Sequence, residues 1–300
     1  MRIFLTGATG AIGSSLLDNF LAHGHDVTST VRSAQKGEEL ASKSPSSHFI
    51  VFDINPDTAH QLAELAAGYD AIVHCVQQAF GEAGTKAEDI TTDALISAAR
   101  KTAETKPVSL LYSSGCLVYG NTNGVQDEDH EDTSHCLDML KARVLRDKKI
   151  VNSTAGNLRS AIIRPTWVYG KSYVDQWINA CKSHNKIIAL AGNNHIPFIH
   201  HEDLANMYRI LIENGAVGVF NATEPEAVSL ETVIERVSTL GNIHEIEKVD
   251  SPWAHSSEPY GFFLFAHSFD QQLVSKRFAD LYHYTPAHRF LDWINSFPFN

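Results

Sequence analysis

The 300-residue sequence is poor in the features that mark secreted, membrane-spanning and nucleic-acid-binding proteins. Its four cysteines are scattered and form no CxxC pair, which argues against a disulfide framework. No apolar run is long enough to span a bilayer. The first residues lack the succession of charged, apolar and small residues that is typical of a signal peptide. The net charge of −11, without a basic stripe, argues against a nucleic-acid partner. We therefore expect a cytoplasmic protein with neither nucleic acid nor membrane as a partner.

Histidine is abundant, with 16 residues, but it does not occur in the spacings that bind metal ions. There is no HExxH motif and no Cys/His zinc pattern. The pair His200-His201 lies at a predicted strand-to-helix turn, where adjacent side chains point to opposite faces. The sequence therefore predicts no metal site.

Short apolar strands alternate with helical stretches over the first half of the chain. The Gly/Ser/Lys-rich stretch 33–47 interrupts this pattern, and we predict a surface loop there. Regular alternation of this kind implies parallel strands joined by right-handed crossovers, which is an α/β fold. The predicted strands are 2–6, 26–31, 48–52, 71–76, 108–112 and 160–164, and the predicted helices are 14–23, 58–67, 87–101 and 137–150.

The alternation becomes irregular after Trp167. Helical periodicity continues in several segments, and 217–221 has the composition of a strand that returns to the sheet. We predict a large domain formed by residues 1–167 plus 198–223, and a smaller C-terminal substrate lobe formed by 168–197 plus 224–300. The later predicted helices are 174–184, 203–213, 230–240 and 287–297.

A glycine-rich loop, Gly7-Ala8-Thr9-Gly10-Ala11-Ile12-Gly13, lies between the first strand and the first helix. Gly7 suits a tight turn, Gly10 allows the backbone to approach a pyrophosphate, and Gly13 allows close packing of helix and strand. Backbone N–H groups and the positive helix end attract an anion. The loop predicts a Rossmann-type doubly wound sheet that binds a dinucleotide, with Thr9, Ala11 and Ile12 among the contacts.

The end of the second strand indicates which dinucleotide is bound. An acid that binds the ribose hydroxyls of NAD(H) is expected there, but the sequence has Arg32-Ser33 and no acid before Glu38. Arg32 can pair with a 2′-phosphate and Ser33 can add a donor, which favours NADP(H) over NAD(H). The alternative is an ordinary surface arginine. The other predicted cofactor contacts are Asp53 and Ile54 near the adenine, and His74, Cys75 and Val76 under the adenosine ribose.

Four segments, in order, resemble motifs of the extended short-chain dehydrogenase/reductase family, which includes sugar-nucleotide epimerases, dehydratases and dihydroflavonol-type reductases. The resemblance covers most of the chain and implies the same fold as the periodicity does. The four segments are TGATGAIG at the start, YSSGCLVYG at 112–120, IIRPTWVYG at 162–170 and FIHHEDLA at 198–205.

In this family a Ser or Thr acts with a Tyr-x-x-x-Lys pair. The Tyr exchanges a proton with the substrate, and the Lys lowers the pKa of the phenol and holds the nicotinamide ribose. The resemblance assigns the Lys role to Lys141, whereas Leu137 stands at the Tyr position and Gly115 at the Ser position, next to Ser114. The predicted catalytic residues are therefore Lys141 and Ser114. Lys141 and Pro165 complete the predicted cofactor contacts.

Other side chains are candidates for the missing proton donor. Tyr169 and His135 rank first, and Tyr119 and Tyr173 follow because they lie in or beside the matching motifs. A set of aromatic residues in the predicted lobe is expected either to line an apolar pocket or to form core. These aromatic residues are Trp177, Trp253, Phe262, Phe263 and Phe265.

Three functions remain open from the sequence. The first is an atypical NADP(H)-dependent oxidoreductase that acts on a small carbonyl or alcohol. The second is an NADP(H)-binding sensor or scaffold without turnover, as in NmrA-like members of the family. The third is a non-redox isomerase or lyase in which the fold holds a substrate and the dinucleotide is vestigial. In each case we expect a small-molecule partner and a monomer or homodimer.

Overall fold

The computed structural model describes residues 1–77, 81–129, 132–251, 253 and 260–299. Its central feature is a seven-stranded sheet with strand order β12-β7-β5-β4-β1-β2-β3. The pairings from β3 through β1 to β7 are parallel. The strands are β1 Arg2–Thr6, β2 Asp26–Val31, β3 Ser47–Val51, β4 Ala71–His74, β5 Val108–Ser113, β6 Val125–Gln126, β7 Leu158–Pro165, β8 Trp167–Tyr169, β9 Lys186–Leu190, β10 His195–Ile196, β11 Phe198–His200, β12 Gly218–Ala222, β13 Val228–Ser229, β14 Glu245–Val249 and β15 Gln272–Leu273.

Helices connect the parallel strands, as crossovers require. The first four join β1 to β2, β2 to β3, β3 to β4 and β4 to β5. None of the helices in the described ranges combines the length and the apolar character needed to cross a bilayer. The helices are α1 Ala11–Ala22, α2 Ala34–Ala41, α3 Ala59–Ala66, α4 Glu82–Ala103, α5 Lys141–Val151, α6 Tyr173–His184, α7 His201–Glu213, α8 Leu230–Gly241, α9 Tyr260–Ala266, α10 Lys276–Tyr282 and α11 Phe290–Ser296.

The inner strands are buried on both faces, which explains their continuous apolar sequences. Ile3, Phe4 and Leu5 of β1 are completely buried, and all residues of β4 are buried as well. One core cluster packs Phe4 and Ile72 of the sheet against the helices that cover one face. The predicted Rossmann-type α/β fold is thereby confirmed.

The predicted loop at 33–47 is wrong, because helix α2 occupies Ala34–Ala41. The Ser33 side chain caps this helix by accepting a hydrogen bond from the Lys36 backbone N–H at 3.4 Å. Leu40 is buried, and Gly37 packs so closely that a Cβ there would lie 2.1 Å from the Phe49 ring. A cap and a few buried contacts therefore outweigh a composition that is typical of loops.

The chain divides into two compact units. The first unit comprises 1–115, 138–164 and 205–220, and the second comprises 116–137, 165–204 and 221–300. The predicted division assigned 116–137, 165–167, 198–204 and 221–223 to the large domain. Residues 116–137 group with the second unit because the Gln271 side-chain amide donates to the carbonyls of Cys116 and Gly120, at 3.0 and 2.9 Å.

The second unit contains short two-stranded sheets and an aromatic core. The Trp177 and Phe263 rings stack with centroids 3.7 Å apart, and the Phe198 and Phe290 rings stack at 3.9 Å. Trp177 and Phe263 are buried, so they belong to the core alternative of the sequence analysis. Trp253 is exposed. A cavity of about 520 Å³ in this unit is lined instead by other residues, which include Glu224, Arg289 and Asp292.

Candidate functional site

The loop between β1 and α1 has room only for glycine at two positions. Gly7 has a φ of +80°, and a Cβ there would lie 2.8 Å from the Cys75 carbonyl oxygen. A Cβ at Gly13 would lie 2.1 Å from the Gly7 carbonyl oxygen. Both contacts are to backbone atoms, which cannot move aside as a flexible side chain can. The glycine spacing is therefore required by the geometry of the turn.

The N-terminus of α1 lacks a negative group of its own. Its N-cap residue, Gly10, provides no side-chain cap, and its first turn contains no acidic residue. The N–H groups and positive dipole end at a helix start are suited to an anion. This helix end can therefore hold a phosphate without competition from its own carboxylates.

An open cleft of about 300 Å³ lies at the carboxyl ends of the strands beside this loop. Eight predicted cofactor residues line it. They are Gly7, Thr9, Gly10, Arg32, Asp53, Ile54, Cys75 and Val76. The sequence analysis missed four further lining residues, which directly adjoin predicted ones at the strand ends. These are Thr30, Val31, Phe52 and Gln77.

Other predicted cofactor residues support the walls rather than line them. Ser33 caps α2, and Gly13 packs under the loop, while Ala11 and Ile12 begin α1. His74 is buried, lies 2.7 Å from the Thr6 hydroxyl through Nδ1 and stacks on Tyr112. Burial lowers the pKa of His74, which favours its neutral form. The ring joins neighbouring strands at the base of the cleft.

Cys75 lies on the cleft wall, but its environment does not favour a thiolate. Burial raises its pKa to about 12, and its sulfur accepts a hydrogen bond from the Ser113 hydroxyl at 3.0 Å. Ser113 in turn lies 2.5 Å from the Tyr208 hydroxyl. Because the thiolate is the reactive form, Cys75 is a wall residue and not a nucleophile.

Arg32 is exposed at the cleft edge, directly after β2. Among the described residues, no carboxylate forms an ion pair with its guanidinium. Its five N–H donors are therefore available to a ligand phosphate, in a geometry that allows bidentate binding.

A second recess shares Gln77 with the cleft and contains the start of α5. Met139 and Arg143 line this recess, and Lys141 does not. The Arg143 Nη1 atom lies 3.5 Å from the position that a Cβ on Gly115 would occupy. The full lining is Gln77, Gly81, Gly84, Thr85, Glu88, Met139, Leu140, Ala142, Arg143 and Arg146.

Lys141, the predicted catalytic lysine, is on the surface. Its side chain is 64% exposed, and its Nζ atom lies 2.6 Å from the Asp138 carboxylate. This hydrogen bond holds the pKa of Asp138 below its usual value. Arg143, two residues later in the chain, is the cation that lines the recess instead.

Ser114, the other predicted catalytic residue, is bonded to a buried ion pair. Its hydroxyl donates to the Asp147 carboxylate at 2.9 Å. The same carboxylate oxygen accepts from Arg164 Nη2 at 2.9 Å and Nε at 3.2 Å. The Asp147 and Arg164 side chains are each 1% exposed. Ser114 thus helps to satisfy a buried charge.

The alternative proton donors all belong to the second unit. Tyr169 is fully buried among aromatic rings, and this burial raises its pKa. Tyr119 is also buried and donates to the Asn221 side chain at 2.7 Å. His135 and Tyr173 are on the surface, and the His135 ring lies 3.9 Å from the Asp132 carboxylate. Pro165 is buried at the end of β7.

The described residues that line the cleft and the recess include no tyrosine, histidine or lysine. The recess contains Arg143, Arg146 and Glu88 instead. Glu88 accepts a hydrogen bond from the Tyr112 hydroxyl at 2.7 Å, and Arg146 lies 2.8 Å from Asp89. These contacts commit Glu88 and Arg146 to neighbouring side chains. The described lining therefore has more side chains that can bind a ligand than side chains that can exchange a proton with it near neutral pH.

Residues 3–222 match the family model described as the NAD dependent epimerase/dehydratase family. The chain belongs to this family. The resemblance identified from the four motifs is confirmed, and the glycine loop and central sheet lie within the matched range.

The chain is similar to a yeast protein named as uncharacterized and to a protein named as a sterol dehydrogenase. The uncharacterized protein YLL056C of Saccharomyces cerevisiae is 22% identical over 269 residues, which cover 87% of each chain. The sterol-4-alpha-carboxylate 3-dehydrogenase (decarboxylating) of Dictyostelium discoideum is 20% identical over 241 residues, covering 76% of this chain and 72% of that protein.

Solved structures share the fold over nearly the whole chain. The human epimerase family protein SDR39U1, solved with NADPH, superimposes with a TM-score of 0.76 at 19% identity, covering 99% of this chain and 98% of that one. The dTDP-glucose 4,6-dehydratase DesIV of Streptomyces venezuelae, solved with NAD and TYD, has a TM-score of 0.77 at 18% identity, with coverages of 99% and 95%. Both similarities concern the fold.

Proposed function

We propose that this protein binds NADP(H) in the glycine-loop cleft and acts as an atypical oxidoreductase on a small carbonyl or alcohol. The observation that carries the proposal is Arg32, which lines the cleft directly after β2. An acid at this position would repel a 2′-phosphate, whereas a guanidinium attracts it. The human relative solved with NADPH supports the same choice of cofactor.

The cleft suits the rest of a dinucleotide as well. The tight Gly7–Gly13 loop and the uncapped start of α1 suit a pyrophosphate. Phe52, Asp53 and Ile54 would hold the adenosine end, with Cys75 and Val76 forming the floor. When bound, the nicotinamide supplies or accepts a hydride.

Arg143 is the residue that we assign to the reactive end. It lines the recess next to the cleft and approaches Gly115, whose family counterpart carries a hydroxyl. A guanidinium donates hydrogen bonds but stays protonated, so Arg143 would hold ribose or substrate oxygens without exchanging a proton. Proton exchange would then fall to water or to a group outside these lining residues.

The second candidate is a cofactor sensor or scaffold without turnover. It is favoured by the replacement of both family donor positions, with glycine at 115 and no tyrosine on the described recess wall. Isomerase or lyase chemistry is the third candidate. The first two candidates agree on cofactor binding and differ in whether the bound cofactor supports a reaction, whereas the third treats the dinucleotide as vestigial.

Isothermal titration calorimetry tests the cofactor assignment. We expect NADPH to bind more tightly than NADH, and Arg32→Ala to weaken NADPH at least about tenfold, since charge-assisted bonds are worth roughly 1.5–3 kcal/mol. NADH affinity should hardly change. Arg100→Ala, which removes another exposed arginine outside the cleft, is the matched control. Equal affinity for the two cofactors in the wild type would contradict the assignment.

Turnover separates the candidates. NADPH oxidation is measured with aldehydes and ketones, and NADP⁺ reduction with the matching alcohols. We expect turnover with at least one substrate class, and a loss of turnover in Arg143→Met that Arg143→Lys partly restores. Tight NADPH binding without turnover on any substrate would support the sensor. Product formation without net oxidation of NADPH would support an isomerase or lyase.

A further inference from the structure

Three side chains with metal-binding atoms meet in the second unit, on elements that are distant in sequence. His200 ends β11, Glu202 lies in the first turn of α7, and His288 precedes α11. One ligand atom from each residue lies within 4.8 Å of the other two. Two imidazoles and one carboxylate are a typical ligand set for first-row transition metals.

The spacing of these atoms is close to that around a bound ion. Glu202 Oε2 lies 3.6 Å from His288 Nε2 and 4.0 Å from His200 Nδ1. Ligand atoms about 2.0–2.1 Å from a tetrahedral zinc ion are roughly 3.4 Å apart. Because Glu202 is 62% exposed, its side chain is free to close the remaining distance.

His288 is oriented by a buried carboxylate, Asp203. Its Nδ1 atom lies 3.0 Å from Asp203 Oδ2, which also accepts from the His288 backbone N–H at 2.8 Å. The Tyr284 hydroxyl donates to the other oxygen of Asp203 at 3.0 Å. A carboxylate at Nδ1 holds the proton there and leaves the Nε2 lone pair on the side of Glu202. Carboxylate–histidine pairs of this kind accompany metal ligands.

His200 is held in place by its packing and by a 3.4 Å hydrogen bond that its Nδ1 atom accepts from the Glu202 backbone N–H, which a bound ion would replace. Its ring is buried and stacks on the His288 ring with centroids 3.9 Å apart. Gly170 leaves the space for it, because a Cβ there would lie 2.8 Å from His200 Nε2. Two of the three ligands are therefore held by surrounding side chains, and the third extends into solvent.

We propose that His200, Glu202 and His288 bind a divalent first-row transition metal ion, with Zn²⁺ as the probe. Three protein ligands leave a coordination position open for water or another small ligand. The ion would also join the start of α7 to the segment before α11. Since it binds the folded chain preferentially, it should raise the unfolding temperature.

The test uses the full chain after treatment with a chelator. Calorimetric titration with Zn²⁺ should show one site per chain, and Co²⁺ should give a visible absorption band that Zn²⁺ displaces. Glu202→Gln should weaken Zn²⁺ binding by more than the roughly 10–100-fold loss that removal of an outer partner causes. Its unfolding temperature without metal should match the wild type, because Glu202 is exposed. The rise in unfolding temperature on adding Zn²⁺ should be smaller in Glu202→Gln than in the wild type.

Two further variants distinguish binding at this site from binding at other histidines of the chain. His288→Ala should also abolish tight binding, although it loses its contacts with Asp203. His60→Ala is the matched control, since His60 is exposed and lies 3.4 Å from the single carboxylate of Glu64. This variant should bind Zn²⁺ like the wild type. Unchanged Zn²⁺ affinity in Glu202→Gln and His288→Ala, or a loss in His60→Ala alone, would overturn the proposal.

Discussion

A buried ion pair in the first unit and a buried histidine in the second hold their polar groups in different ways. In the first unit, Arg164 and Asp147 form a buried ion pair at 2.9 Å, with Ser114 as a further donor. In the second unit, His267 is just as deeply buried, but within the described chain neither ring nitrogen has a hydrogen-bond partner. It packs against Phe263 and Trp177 instead.

The stability of these two arrangements responds differently to mutation and to pH. Removing one partner of a buried ion pair is strongly destabilising, because the other charge is left buried and uncompensated. An unpartnered buried imidazole must remain neutral, and burial lowers the pKa of His267 well below its usual value. We therefore expect the buried ion pair of the first unit to be sensitive to mutation of either charge, and His267 to make the second unit less stable in acid.

The largest expected loss of stability comes from mutation of the buried ion pair. Asp147→Ala leaves Arg164 buried without a counter-charge and should lower the free energy of unfolding by about 3–5 kcal/mol. Asp138→Ala removes the exposed partner of Lys141 and should cost far less, because solvent screens an exposed pair. Urea unfolding monitored by circular dichroism measures both. Similar losses in the two variants would remove the contrast between buried and exposed pairs.

Gly13→Ala tests the glycine loop of the first unit. The new Cβ would lie 2.1 Å from the Gly7 carbonyl oxygen, so the loop must shift. We expect a loss of about 1–3 kcal/mol in stability, together with loss of NADPH binding measured by calorimetry. In the comparison variant Gly10→Ala, the nearest contact would be 3.3 Å, and stability should change much less. Normal NADPH binding by Gly13→Ala would show that the loop does not hold the cofactor.

The acid response of the second unit is tested with His267→Met, which fills the site without a titratable group. The unfolded histidine binds a proton below its ordinary pKa of about 6.5, whereas the buried one does not. Wild-type stability should therefore fall as the pH drops below that value, by up to about 1.4 kcal/mol per unit for this residue. Urea unfolding on both sides of that pH should show a smaller fall in His267→Met. Parallel pH profiles would refute this role.

The smallest expected effect is that of Lys141→Ala. Because the lysine is exposed and pairs with an exposed acid, its removal should change stability by less than about 0.5 kcal/mol. NADPH affinity should stay within about twofold of the wild type, which is within the range expected for a surface charge. Arg143→Ala, at the recess wall, should weaken NADPH clearly more. The reverse order would restore Lys141 as the cofactor residue.

Local patterns predicted the first part of the fold well. The predicted strands 2–6 and 26–31 have the same bounds as β1 and β2, and the glycine loop lies where its spacing indicates. These features depend on a few neighbouring residues, namely buried apolar runs and glycines that a tight turn requires. Helix α2 was missed, since its stability comes from the Ser33 cap and from packing against Phe49.

The start of α5 shows why the catalytic assignments were harder. The segment before it, 121–133, has no regular pattern, so the register of Lys141 relied on resemblance alone. How the start of α5 packs decides which of its side chains reach the recess, and Arg143 reaches it whereas Lys141 does not. The role of Ser114 was hard to predict for a comparable reason, because its partner Asp147 lies on α5, a later element of the chain.

By itself, the sequence determined the dinucleotide-binding loop, the parallel α/β sheet, the arginine after the second strand and the absence of a Tyr-x-x-x-Lys pair. All of these depend on neighbours along the chain. Only the tertiary structure decided that Arg143 lines the recess, that Ser114 serves a buried ion pair and that His288 meets His200. Such contacts join distant elements, and the packing of helices and strands, not local spacing, brings them together.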